Sequence, residues 1–186
     1  CELLTKEDVK IHCDEITNSA KYLSSILNQF SELLVDEQKS TFSLYEILNK
    51  YKNIKTITFI INCKKNIYIN SYKNMFSKIL DKIIENSIIA LNNLEEKFIF
   101  IDVIKTQSNL KIIIKDNANG IDDNVLKNIF EPYFTTYHQI QGKGLGLYIV
   151  ENFIQNIDGK IFVENCNFIY ENKNYKGLVT TILLPL

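Results

Sequence analysis

Eight apolar positions near the start of the chain, Val9, Cys13, Ile16, Ala20, Leu23, Leu27, Phe30 and Leu34, are spaced alternately four and three residues apart. This heptad-type seam, sustained over more than three repeats, predicts an α-helix that lays the seam against something else. Neither Pro nor Gly interrupts it, and the positions between are mostly Lys, Asp, Glu, Asn and Ser. A helix of about 30 residues is roughly 45 Å long and cannot bury such a seam by itself. The expectation is therefore one long helix over residues 1–36 that seeks a partner in a helical hairpin or dimer bundle. Packing against its own domain is the alternative.

The polar run Asp36-Glu-Gln-Lys-Ser-Thr41 reads as a linker, and the periodicity changes after it. A short strand near Thr41–Leu44 leads into a short helix ending about Lys50. Ile54–Ile61 is β-rich and Ile67–Asn70 is a brief strand. Ser71–Asn93 is helical, with Phe76, Ile79, Leu80, Ile83, Ile84, Ile88 and Leu91 on one stripe. Phe98–Lys105 and Leu110–Lys115 read as a hairpin turning at Gln107-Ser-Asn109, and a short helix follows Gly120. An irregular loop spans about Phe130–Gly144. A helix over Leu145–Asn156 stops at Asp158-Gly159, and Lys160–Glu164 and Leu178–Leu184 are strands. Helices mixed with mainly antiparallel strands predict an α+β two-layer sandwich over 37–186 rather than a Rossmann-type fold.

Composition narrows the function classes. A net charge of −1 over 186 residues argues against nucleic-acid binding driven by bulk charge. No apolar run approaches the roughly 20 residues that span a bilayer. The opening Cys1-Glu-Leu-Leu-Thr-Lys is too polar for a secretory signal. The chain begins without Met, so it is expected to be a piece of a larger protein, with any membrane segment in the missing part. Cys1, Cys13, Cys63 and Cys166 are scattered, which predicts reduced thiols in a cytoplasmic setting. His12 and His138 are too far apart in sequence to suggest a metal cluster. All 21 basic residues are Lys, so phosphate contacts must come from Lys, backbone N–H groups or small polar side chains.

Four local features carry chemistry. Lys82, Asn86 and Ala90 share one helix face beside the apolar stripe. The Asn86 carbonyl suits Mg²⁺ and the small Ala90 leaves room for something flat, though alone the row also reads as a solvated face. Asp116-Asn-Ala-Asn-Gly120-Ile121 follows a strand directly; its carboxylate suits an exocyclic amine such as adenine N6, or an ordinary Asx turn. Ile129-Phe-Glu-Pro-Tyr-Phe-Thr-Thr136 sets aromatics around a Pro, as a lid anchor or as core at a loop base. Gly142-Lys-Gly-Leu-Gly146-Leu147 opens a helix, where glycines and free N–H groups favour an anion. It is neither GxGxxG nor a P-loop.

In order and spacing these features resemble the N, G1, F and G2 boxes of the histidine-kinase catalytic domain. That family lies within the ATPase superfamily of DNA gyrase, the Hsp90 chaperones and MutL. IFEPYFTT (129–136) with GKGLGLYIV (142–150) is the most specific part, and Gly177 to Pro185 resembles the closing strand. The resemblance covers roughly 40–186 and implies a Bergerat-type ATP-binding fold. It implies Asn86 as the Mg²⁺ ligand, Asp116 as the adenine-N6 acceptor, and Ala118, Gly120 and Ile121 as floor and wall of the base pocket. Gly142, Gly144 and Gly146 would wrap the phosphates beside Leu145 and Leu147. Phe130 to Lys143, with Thr135 and Thr136, would form the ATP lid, and Ala90 would bind ATP from the helix. Tyr22 to Phe30 resembles the second helix of the kinases' dimerisation and phosphotransfer hairpin.

The implied activity is transfer of the ATP γ-phosphate to a His on a helix absent from this chain, for relay to an Asp of a response-regulator receiver domain. ATP and Mg²⁺ are the implied cofactors, and a homodimer through the N-terminal helix the implied assembly. His12 lacks the expected following Pro and reads as a solvated helix residue. Lys143 stands where Thr or Ser is usual and Tyr137 where Lys is usual, so Lys143 is expected to supply the lid cation. Lys82 replaces the Asn of kinases and the Glu of the hydrolysing relatives. An ammonium is no base for water at neutral pH, which favours kinase over ATPase. An ATPase or clamp, and a non-catalytic scaffold, are the competing classes.

Overall fold

The computed structural model describes residues 12, 13, 16, 17, 24, 38–135 and 144–186. The chain divides into two compact units, Cys1–Glu37 and Gln38–Leu186. In the first unit, His12, Cys13, Ile16, Thr17 and Ser24 are helical and exposed. The other seam positions lie outside the described residues.

The second unit runs β1 (Ser40–Ser43), α1 (Leu44–Asn49), a 3₁₀ turn (Lys50–Asn53), β2 (Thr58–Asn62), β3 (Tyr68–Ser71), α2 (Lys73–Ala90), β4 (Phe98–Lys105) and β5 (Asn109–Asp116). It continues with α3 (Asp123–Leu126), α4 (Gly146–Asn156), β6 (Lys160–Tyr170) and β7 (Lys173–Pro185). Strands β1 and β3 pair alone, and the five-stranded sheet has the order β2-β4-β5-β7-β6. Only the β2–β4 pair is parallel among its ladders. The α+β sandwich expected from the sequence is the architecture found.

One face of this sheet makes the core. Leu110, Ile112 and Ile114 alternate along β5 and are buried, as are Ile99, Ile101 and Val103 on β4 and Ile182 on β7. Helix α2 presents Phe76, Ile79, Leu80, Ile83 and Ile84 to the core, and α4 presents Ile149, Val150, Phe153 and Ile154. The two helices pack against each other. Helix α4 ends in a Schellman turn: the Gly159 N–H donates to Ile154 O at 2.8 Å and the Asp158 N–H to Gln155 O at 3.0 Å. The left-handed residue is Asp158, φ 58°, not the glycine. Gly159 is needed for space, because a Cβ there would lie 2.7 Å from a Leu184 methyl and 2.9 Å from an Ile154 methyl.

The last hairpin departs from expectation. The strands expected at Lys160–Glu164 and Leu178–Leu184 extend toward each other until Tyr170 pairs with Lys173. Glu171 and Asn172 make the tight turn at φ 48° and 62°. The Asn, Lys and Glu residues scattered through 164–176 hide this extension, whose purpose is visible only in space. Phe168, Tyr170 and Tyr175 curl onto Phe98 and Phe100, with ring centroids 5.0–5.6 Å apart. Lys173 Nζ and the Tyr175 hydroxyl fix the tip by donating to the Glu96 carboxylate at 2.6 and 2.8 Å.

Candidate nucleotide site

The buried row Leu110, Ile112, Ile114 on β5 ends in Asp116, a carboxylate only 3% exposed. It survives there because it is well bonded. Oδ1 accepts the backbone N–H groups of Ala118 at 3.0 Å and Leu178 at 3.1 Å, and Oδ2 accepts the Ser87 hydroxyl at 2.8 Å. Burial pushes the carboxyl above its usual range, and these bonds pull it partly back. The β7 strand comes this close only because residue 177 is Gly: a Cβ there would overlap the Asp116 carbonyl. Asn117 closes the other side, donating to Glu96 O at 2.9 Å and accepting the Phe98 N–H at 2.8 Å.

The loop after Asp116 is held open by two consecutive left-handed residues, Asn119 at φ 66° and Gly120 at φ 70°. The Asn119 N–H donates to Lys176 O at 3.0 Å. Asn165 on β6 grips the next residue twice: its Oδ1 accepts the Ile121 N–H at 2.9 Å and its Nδ2 donates to Ile121 O at 2.8 Å.

Ser87, bonded to Asp116, is the chain neighbour of Asn86 on α2. Asn86 and Ala90 are exposed on α2 and Lys82 is half-buried. The apolar stripe of α2 continues through buried Ser87, not through the expected Ile88, which is half-buried. Ser87 was therefore detectable as the one polar residue at a stripe position. Asn165 left no comparable signal, because a lone Asn in a polar run says nothing about what it bonds.

The second wall is the start of α4. Leu145 is buried, and among the described residues no side chain caps the helix and a Cβ at Gly146 would meet nothing within 4 Å. Backbone N–H groups at a helix start are of the kind that suits an anion. Gly144, at φ 65°, packs so tightly on the Tyr133 backbone that a Cβ would overlap it, which joins the 129–135 and 144–147 segments. Tyr133 is itself left-handed, φ 65°. Phe130 and Thr135 are half-buried beside it. Thr136, Gly142 and Lys143 lie outside the described residues.

The fit to Mg²⁺ depends on donor chemistry. Asn86 offers one neutral amide oxygen, and no cluster of three His, Cys, Asp or Glu occurs among the described residues. That is too little for a resident ion. It suits Mg²⁺ arriving on nucleotide phosphates, since Mg²⁺ keeps waters and commonly takes only one or two protein ligands.

The fold has counterparts of known structure. The mycobacterial sensor histidine kinase MprB superposes with a TM-score of 0.64 over 80% of this chain and 97% of that one, at 16% identity. The catalytic domain of histidine kinase ThkA gives 0.62 over 80% and 97%, at 23% identity. The class is thus a sandwich of the histidine-kinase catalytic-domain type. Residues 72–186 match the family described as histidine kinase-, DNA gyrase B- and HSP90-like ATPase, and the chain belongs to that family. Sporulation kinase C of Bacillus subtilis is 27% identical over 96% of this chain and 42% of its own length. Sporulation kinase A of the same organism is 27% identical over 77% of this chain and 25% of its own. The chain thus spans less than half the length of these relatives.

Proposed function

We propose that residues 37–186 are the ATP-binding catalytic domain of a two-component sensor histidine kinase, and that residues 1–36 are the second helix of its dimerisation hairpin. The observation that carries this is the buried, thrice-bonded Asp116 at the pocket floor. Its Oδ2 keeps a lone pair free for the exocyclic amine of adenine. Asn86 would hold a Mg²⁺ that arrives with the nucleotide and would offset phosphate charge, and the start of α4 with Gly142, Gly144 and Gly146 would receive the phosphate oxygens. Phosphoryl transfer by this route needs positioning and charge stabilisation rather than a covalent residue. Lys82 and Lys143 supply the cations, and neither serves as a base for water.

The acceptor is a His on a helix outside this chain, and the onward partner is a receiver domain. Histidine kinase ThkA, 20% identical, has been solved in complex with its response regulator protein TrrA. No described helix is long and apolar enough to cross a membrane. The cytoplasmic site, the homodimer through 1–36 and any anchoring elsewhere in the parent are part of the same proposal.

Calorimetric titration with Mg-ADP tests the reading. Wild-type protein should bind, EDTA should weaken binding, and Asp116→Asn should lower affinity about 10- to 100-fold. The amide oxygen of that variant stays at the Oδ1 position, held by two N–H groups, which turns the NH₂ toward the adenine amine. A folded wild-type sample that binds no ADP would sink the proposal.

A further inference from the structure

Asp116 can read a base only if the loop beside it stands at the right height, and its own strand does not set that height. Beyond β5 the chain takes two left-handed residues, Asn119 and Gly120, which no ladder bond of β5 supports. Support comes from the last hairpin. Lys176 O on β7 receives the Asn119 N–H, and the Asn165 side chain on β6 bonds both the N–H and the carbonyl of Ile121. The same Nδ2 reaches Asp123 Oδ1 at 3.2 Å, at the start of α3. Asn165 thus acts as a substitute strand edge, one amide satisfying a donor and an acceptor of one residue. Gly120 is matched to it, because a Cβ at 120 would overlap Asn165 Oδ1. Residues 44 apart in sequence therefore interlock at the floor of the pocket.

From this we infer that Asn165 is a positioning residue for base recognition, holding the 119–121 loop so that the Asp116 carboxylate and the pocket floor present one fixed surface to adenine. It touches no nucleotide itself. The inference rests on the proposed adenine site and deepens it.

The test compares ADP with inosine diphosphate, which carries a carbonyl in place of the exocyclic amine, on wild type, Asn165→Asp and Asn165→Ser. Asn165→Asp keeps the acceptor for Ile121 N–H but sets an oxygen against Ile121 O and Asp123 Oδ1. Asn165→Ser removes the double grip without adding charge. Both variants should bind ADP about tenfold more weakly while inosine diphosphate changes little, so the preference between them narrows. Adding Asp123→Asn to Asn165→Asp should restore part of the preference, since the new amide can donate to the introduced oxygen. Amide hydrogen exchange over 117–122 in nucleotide-free protein should rise in both single variants. Equal losses for the two nucleotides, or faster exchange with an unchanged preference, would overturn the positioning role and leave Asn165 as a fold contact. Wild type that binds both nucleotides equally would overturn the adenine reading itself.

Discussion

The two ends of the pocket are built on opposite plans. At the base end the polar side chains are held by the fold, with one lone pair of Asp116 Oδ2 to spare: Asp116 takes three hydrogen bonds, Asn117 two and Asn165 three. At the proposed phosphate end, among the described residues, α4 starts with no side-chain cap, a Cβ at Gly146 would meet nothing within 4 Å and Asn86 is exposed. Folding alone completes the first end, whereas the second has backbone donors that no described side chain caps. The proposed nucleotide site would select its base by preorganised shape and admit phosphate by charge. Damage to the base end should therefore appear in stability, and damage to the phosphate end in affinity alone.

Gly177→Ala is the sharpest way to break that contrast. The added methyl would overlap the Asp116 carbonyl between two paired strands that cannot separate locally. A loss of about 3 kcal/mol in urea unfolding is expected, with ADP binding lost alongside it. Wild-type stability in this variant would mean that β7 is far less constrained than its register implies. Gly146→Ala should do the reverse. No described residue lies within 4 Å of the new methyl, so the fold should gain or hold, by up to about 1 kcal/mol. Mg-ADP affinity should still fall about tenfold, because the methyl fills space the phosphates need. An unchanged affinity would remove Gly146 from the phosphate site.

How much of this was legible in the sequence follows the same division. The row Leu110, Ile112, Ile114, Asp116 shows its period of two and its polar end in the sequence, so the strand and the carboxylate were both readable. The glycines of 142–146 announced the helix start for the same local reason. Ser87 was half legible, as a polar residue on an apolar stripe that the eye extends to Ile88. Asn165, Glu96 and the curled tip of β6–β7 were not legible, because each acts on residues tens of positions away. Side-chain to backbone bonds such as Asn165 to Ile121 have no period, and the Glu171-Asn172 turn lacks the glycine that usually marks a two-residue hairpin.

The smallest effect separates two carboxylates by the sign of their pH dependence. Burial raises the Asp116 carboxyl in the folded protein. The unfolded chain therefore loses that proton first, and stability falls as pH rises from about 3.9 until the raised folded value is passed. Glu96 runs the other way: bonds from Lys173 and Tyr175 hold its folded carboxyl below the usual range. Its contribution is complete above the unfolded value of about 4.3 and is lost as pH falls through the folded one. Melting curves between acid and neutral pH should show these slopes as differences from wild type. Asp116→Asn should melt relatively higher as pH rises, and Glu96→Gln relatively lower. Added salt should shrink the Glu96 difference, which sits at the exposed tip of the hairpin, and leave the buried Asp116 difference in place. Slopes of the same sign would mean that Asp116 is stabilised as an anion by its three donors more than burial opposes it, and the base end would then be an anion-binding floor rather than a carboxylate held at cost.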